Sequence, residues 1–167
     1  MAERITICTR RIQLADECLR SQGVLYWTAT TGEESSSTAP RQALPGDCGV
    51  DLYVAADTTL PPGEPIDIPL GIKVELPPGV WGLLIGRSST LRRHRLTVHP
   101  GVIDTGYRGP LFALTENLCN FPQEVSRGTR IAQLVLLPNL VDGLQIQYTD
   151  ALSSSARGEK GFGSTGI

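Results

Sequence analysis

The sequence predicts an all-β fold, and three features predict it: evenly spaced apolar residues, turn signals between short apolar runs, and almost no helical periodicity after residue 40. The 18 Gly and 12 Pro among 167 residues argue for many turns and short strands, because both residue types interrupt helices. Short strands at near-regular intervals with turns between them build a sandwich or a barrel. One domain of this length can bury a sizeable core.

Within the first forty residues, Arg4–Ile12 reads as a strand and Leu14–Arg20 as a short helix. Val24–Thr30 is a stronger strand, being β-branched and aromatic. Thr31–Ala39 offers nothing to bury and reads as a mobile loop. Val50–Ala55 is strand-like, and Pro61-Pro62-Gly63 turns the chain. Ile66, Ile68, Ile72, Val74 and Leu76 keep the even spacing of inward-facing strand positions. A second turn, Pro77-Pro78-Gly79, leads into Val80–Ile85. Further strands follow at Leu96–Ile103, Leu111–Leu118, Arg130–Leu137 and Leu144–Tyr148, with a single helical turn near Ser89–Arg93. The chain thus divides into an N-terminal extension (1–40), a β domain (41–152) and a C-terminal tail (153–167).

Composition excludes several functions. A net charge of -2 gives no general attraction to nucleic acid or anionic membrane. The one basic cluster, Arg92, Arg93 and Arg95, has no interleaved aromatics and reads as a solvated face or a patch near phosphate. No apolar stretch is long enough to span a bilayer, and the N-terminus carries no signal-peptide pattern. Cys8, Cys18, Cys48 and Cys119 show no CxxC and have only His94 and His99 beside them, which is a poor basis for zinc. They read as free, buried thiols of a soluble cytoplasmic protein, with the nucleus an alternative location for a eukaryotic or viral source.

Chemistry concentrates in two segments. Gly101-Val102-Ile103-Asp104-Thr105-Gly106-Tyr107-Arg108-Gly109 reads as a β-hairpin with an Asp-Thr-Gly turn. Such a tip exposes backbone groups that can read a base edge, and its Asp can take a proton from water. A turn-stabilising Asp is the plainer reading of the same residues. The second segment runs from Arg157 through Phe162 to Gly166. Its glycines leave N–H groups to cradle phosphate, with Arg157, Ser164 and Thr165 as donors, and its lone aromatic can stack on a planar ligand. It is no Walker A loop, and such a composition is otherwise a flexible tail.

Together these segments resemble motifs three and five of the trimeric dUTPase family. Gly49-Val50-Asp51-Leu52-Tyr53 resembles motif one, Gly86-Arg87-Ser88-Ser89 motif two, and Gly128-Thr129-Arg130-Ile131-Ala132-Gln133 motif four. The five motifs stand in order between about Pro45 and Gly166. The resemblance implies a jelly-roll-like distorted β-barrel, a homotrimer with exchanged C-terminal arms, and hydrolysis of dUTP to dUMP and pyrophosphate with Mg2+. Each site would take motifs one, two and four from one subunit, motif three from a second and the arm from the third.

It further implies a role for each matching residue. Asp104 would activate the attacking water, with Gln133 beside it and the α-phosphate. Asp51 would reach Mg2+ through a bound water. Arg87, Ser88 and Ser89 would contact phosphate. Backbone groups at Gly101 and Ile103 would read uracil, and Tyr107 would pack under deoxyribose, leaving no room for a 2′-hydroxyl. Phe162 would cover the base, while Arg157, Gly163, Ser164 and Thr165 would hold the outer phosphates. Ser89 departs from the family's usual glycine, and Pro110 from a common acidic residue. Two alternatives stay open. One is a dCTP deaminase of the same fold, for which Glu116 would have to serve as proton shuttle. The other is a nucleotide-dependent regulatory protein, with residues 1–40 and the 31–43 loop as candidate surfaces for a protein partner.

Overall fold

A computed structural model describes residues 24–30 and 39–156. The strand expected at 4–12, the helix expected at 14–20 and most of the 31–39 loop lie outside the described residues. In chain order the elements are β1 (Tyr26–Ala29), β2 (Gly49–Tyr53), β3 (Thr58–Leu60), β4 (Ile66–Glu75), β5 (Val80–Gly86), helix α1 (Ser88–His94), β6 (Leu96–Val98), β7 (Gly101–Ile103), β8 (Pro110–Asn117), β9 (Gln123–Val125) and β10 (Arg130–Pro138).

All the strand pairings are antiparallel. One sheet runs β1-β4-β8-β6, a second runs β2-β10-β5-β7, and β3 pairs with β9 alone. Alternation along each strand decides what is buried. On β4, Ile68, Leu70, Ile72 and Val74 point inward while Asp67, Lys73 and Glu75 face solvent. Leu111 and Ala113 of β8 meet them within the same sheet, and Leu52, Leu84 and Leu134 close the core from the other. The β4–β8 register shifts between Pro69 and Lys73, where Gly71 adopts φ +70. β1, counted above with the extension, pairs with β4 from Tyr26↔Glu75 to Ala29↔Ile72, so the sheet begins before residue 41.

The structure corrects four expectations. Leu96–Ile103 is two strands in different sheets, broken at His99-Pro100 because proline cannot donate to a ladder. Gly101–Gly109 is not a hairpin: β7 pairs with β5 and β8 with β4 and β6, so the Asp104–Tyr107 turn carries the chain from one sheet to the other. Tyr107 N closes that turn by donating to Asp104 O at 3.0 Å. Leu144–Tyr148 forms no strand; Ile146 and Tyr148 are each 90% exposed. Cys48 is an exposed free thiol and Cys119 a half-buried one, whereas burial was expected. Cys8 and Cys18 lie outside the described residues.

Candidate active site

The outward face of the β2-β10-β5-β7 sheet carries the predicted residues Asp51 and Gln133, and strand register explains why. Leu134 pairs with Val50 and Leu84, and all three turn to the core. The next row, Asp51↔Gln133↔Ile85, must therefore face outward. Asp51 is only 5% exposed even so, because two arginines cover it. Arg87 Nε lies 2.6 Å from Asp51 Oδ1 and Arg130 Nη1 lies 3.1 Å from Oδ2. A bulge between Arg130 and Ala132 lets the Arg130 side chain reach Asp51.

Neighbouring bonds fix this cluster. Arg87 N donates to Ile131 O at 3.2 Å, and Thr90 Oγ1 donates to the same oxygen at 2.7 Å, pinning the start of α1 to β10. Ser88 and Ser89 open α1 directly after Arg87. Gln133 Nε2 donates to Gly86 O at 3.2 Å. A Cβ on Gly49 would overlap Gln133 Oε1, so the motif-one glycine leaves the room that this side chain occupies.

Motif three lies at the other end of the same face. β7 is the edge strand of its sheet, and its outer edge has no strand partner among the described residues. Gly101 and Ile103 both lie on this edge strand. Ile103 is buried, Val102 is 66% exposed, and Asp104 is exposed. The turn that follows is held by Thr105 Oγ1 donating to Val80 O at 2.6 Å and by Arg108 Nη1 donating to Thr105 O and Tyr107 O at 2.9 Å. Tyr107 donates its hydroxyl to Pro110 O at 3.0 Å, and its ring fills the space where a Cβ of Gly109 would stand. The Pro110 departure thus leaves the hydroxyl its acceptor.

One chain does not bring these two groups together. Gln133 faces Ile85, while continuing the β5–β7 register by one residue sets Asp104 opposite Trp81. Four residues along β5 and two strand spacings across it put the two Cα atoms about 16 Å apart. Neither side chain closes that gap onto a single water. The predicted residues Arg157, Phe162, Gly163, Ser164 and Thr165 lie outside the described residues. Glu116 sits on the other sheet, with Oε2 3.3 Å from His99 Nε2. Sequence reasoning missed a role for Arg130; the available signal was a charged residue opening an otherwise buried strand.

Among the described residues no three metal-ligating side chains come together. Asp51 is the carboxylate of this cluster: Oδ2 accepts from Arg130, and Oδ1 is ion-paired with Arg87. A carboxylate oxygen has two lone pairs, so each can still accept from a metal-bound water. The donor set fits a cation that arrives with phosphate and water ligands, and does not fit one caged by protein alone.

Fold and site together define an all-β protein with a carboxylate paired to two arginines on the outward face of one sheet. Comparison with known proteins gives the family. The dUTPase family profile matches residues 35–166. A deoxyuridine 5′-triphosphate nucleotidohydrolase of Gloeothece citriformis is 38% identical over 136 residues, covering 80% of this chain and 92% of its own. One of Thermobifida fusca is 45% identical over 130 residues, covering 76% and 72%. The solved dUTPase of Staphylococcus bacteriophage 80alpha with dUpNHpp superposes with a TM-score of 0.77 at 27% identity, covering 86% of this chain and 99% of the phage chain. The chain belongs to the dUTPase family and has its all-β fold.

Proposed function

We infer that the chain is a dUTP diphosphatase, converting dUTP and water into dUMP and pyrophosphate. Family membership carries the activity, and the observation that carries the site is the Asp51–Arg87–Arg130–Gln133 cluster, formed by motifs one, two and four. In this reading Asp104 takes a proton from the attacking water, which adds to the α-phosphorus as pyrophosphate leaves. Gln133 orients that water and the α-phosphate. Arg87, Ser88 and Ser89 hold phosphate oxygens, Gly101 and Ile103 offer backbone groups to uracil, and Tyr107 packs beneath deoxyribose. Arg157, Gly163, Ser164 and Thr165 close on the outer phosphates and Phe162 on the base, so that water other than the nucleophile is excluded.

Mg2+ is the proposed cofactor; Asp51 would hold it through water, and it would neutralise charge as pyrophosphate departs. Arg130 keeps Asp51 paired when Arg87 turns to phosphate.

A homotrimer with shared sites and exchanged arms is the proposed assembly. Two observations support it. The gap of about 16 Å between Asp104 and Gln133 is accounted for if a second copy completes each site. Leu144, Ile146 and Tyr148 alternate as a strand would yet stand 50%, 90% and 90% exposed, a strand pattern suited to pairing with a neighbour. The tail from residue 153 is the proposed arm. No helix among the described residues is long and apolar enough to cross a membrane. The exposed Cys48 thiol supports a reducing compartment, and the cytoplasm is the proposed location.

Hydrolysis in 18O-labelled water tests the reaction. Label in dUMP supports attack at the α-phosphorus; label in pyrophosphate, or no pyrophosphate at all, overturns it.

A further inference from the structure

Beside Asp104 stands a residue that none of the five motifs includes. Trp81 of β5 is the cross-strand neighbour of Asp104, because the pairs Gly82↔Ile103 and Leu83↔Val102 extend to it. The Thr105 Oγ1 bond to Val80 O shows that the alignment continues past the last ladder pair. Residues opposite each other in an antiparallel pair share a face, with their Cβ atoms about 5 Å apart. Both side chains line one open cleft of about 530 Å³, with Val102, Asn139, Val141 and Asp142 around them. The indole cannot swing freely, since Nε1 donates to Pro138 O at 3.2 Å. That bond ties it to the end of β10, where Asn139 N donates to Gly79 O at 2.8 Å.

We propose that Trp81 is the positioning residue for Asp104: its pinned indole forms one wall of the cleft and holds the carboxylate at the angle from which it meets the attacking water. An aspartate at an exposed turn has several rotamers open to it. A flat, fixed ring on one side removes those that point back across the strand and leaves those that point into the cleft. The ring donates nothing to the reacting atoms and acts through Asp104 alone. The loss of such a wall therefore lowers turnover while leaving ground-state nucleotide binding nearly intact. The inference rests on the reading of Asp104 as the water-activating acid.

The test uses the full-length protein. In a Trp27→Phe background, Trp81 is the remaining tryptophan, and its emission is followed during titration with dUpNHpp and Mg2+. Nucleotide filling the cleft changes that emission; an unchanged spectrum at saturation, with binding confirmed by calorimetry, overturns the proposal without any change at position 81. Steady-state kinetics on Trp81→Ala should show kcat reduced by about 10- to 100-fold, the scale expected for a reacting group displaced by about an ångström, with KM changed less than about 3-fold. Trp81→Phe, which keeps a flat ring, should recover most of kcat. Wild-type kcat in a folded Trp81→Ala protein overturns the proposal, as does an equal loss for Ala and Phe. Asp104→Asn run alongside separates the two readings. If it retains turnover, the role of Asp104 fails; if it is inactive while Trp81→Ala is not, only the role of Trp81 fails.

Discussion

Mixing two inactive variants should restore activity. Asp104→Asn removes the proposed acid from every subunit, and Arg87→Ala removes the guanidinium that lies 2.6 Å from Asp51. Each homogeneous protein is expected to lose nearly all turnover. Asp104 and the Asp51–Gln133 row stand about 16 Å apart on one sheet face, so in the proposed homotrimer a complete site draws them from different chains. In a randomly mixed trimer, a given site is intact when one neighbour supplies wild-type Asp104 and the other wild-type Arg87. With equal amounts of each variant, both conditions hold for about one site in four, so close to 25% of wild-type turnover should return. The assay is pyrophosphate release after co-refolding, with the separate variants and unmixed wild type carried through the same treatment. Activity that stays at the level of the parents would refute the reasoning, since it would place Asp104 and Arg87 in one chain's site.

Tyr107→Ala should raise the relative kcat/KM for UTP over dUTP by about 10-fold or more, the scale of one steric contact, as measured by competition between the two nucleotides. Replacing Asn117 by Ala should destabilise the fold by about 2–4 kcal/mol in urea unfolding. That residue is fully buried, donates to Leu60 O and Phe121 O at 3.1 and 2.8 Å, and accepts from Cys119 N and Gln123 Nε2. Ile146→Asp should lower the oligomeric state seen by light scattering, because a 90% exposed residue tolerates charge in one chain but not in a paired strand.

Most of the β domain was legible because alternation is a strong signal where one face is buried. Ile68, Ile72 and Val74 follow it faithfully along β4. β3 and β9 escaped because three residues each, Thr58–Leu60 and Gln123–Val125, are too short to show a period. Gly101–Gly109 misled for a different reason. An apolar run, a turn and a second run look alike whether the two strands pair with each other or, as here, join separate sheets. Leu144–Tyr148 has the pattern of a strand but no partner within the described chain, so pattern and structure diverge where assembly would reconcile them.

Site chemistry was legible in part. Asp51 and Gln133 share one row by strand register, and the ion pair to Asp51 brings Arg87 beside them. Arg130 needed the structure, because a bulge decides where its side chain goes. Trp81 needed it as well, for no motif includes the strand position opposite Asp104.

The central claim is that this chain hydrolyses dUTP and that Asp104 activates the water. Pyrophosphate release with Mg2+ tests it most directly, comparing dUTP with dCTP, dTTP and UTP for the wild type and Asp104→Asn. Fast release from dUTP alone, abolished by the substitution, is the expected result. Binding of dUTP without release, or turnover that survives Asp104→Asn, would contradict it.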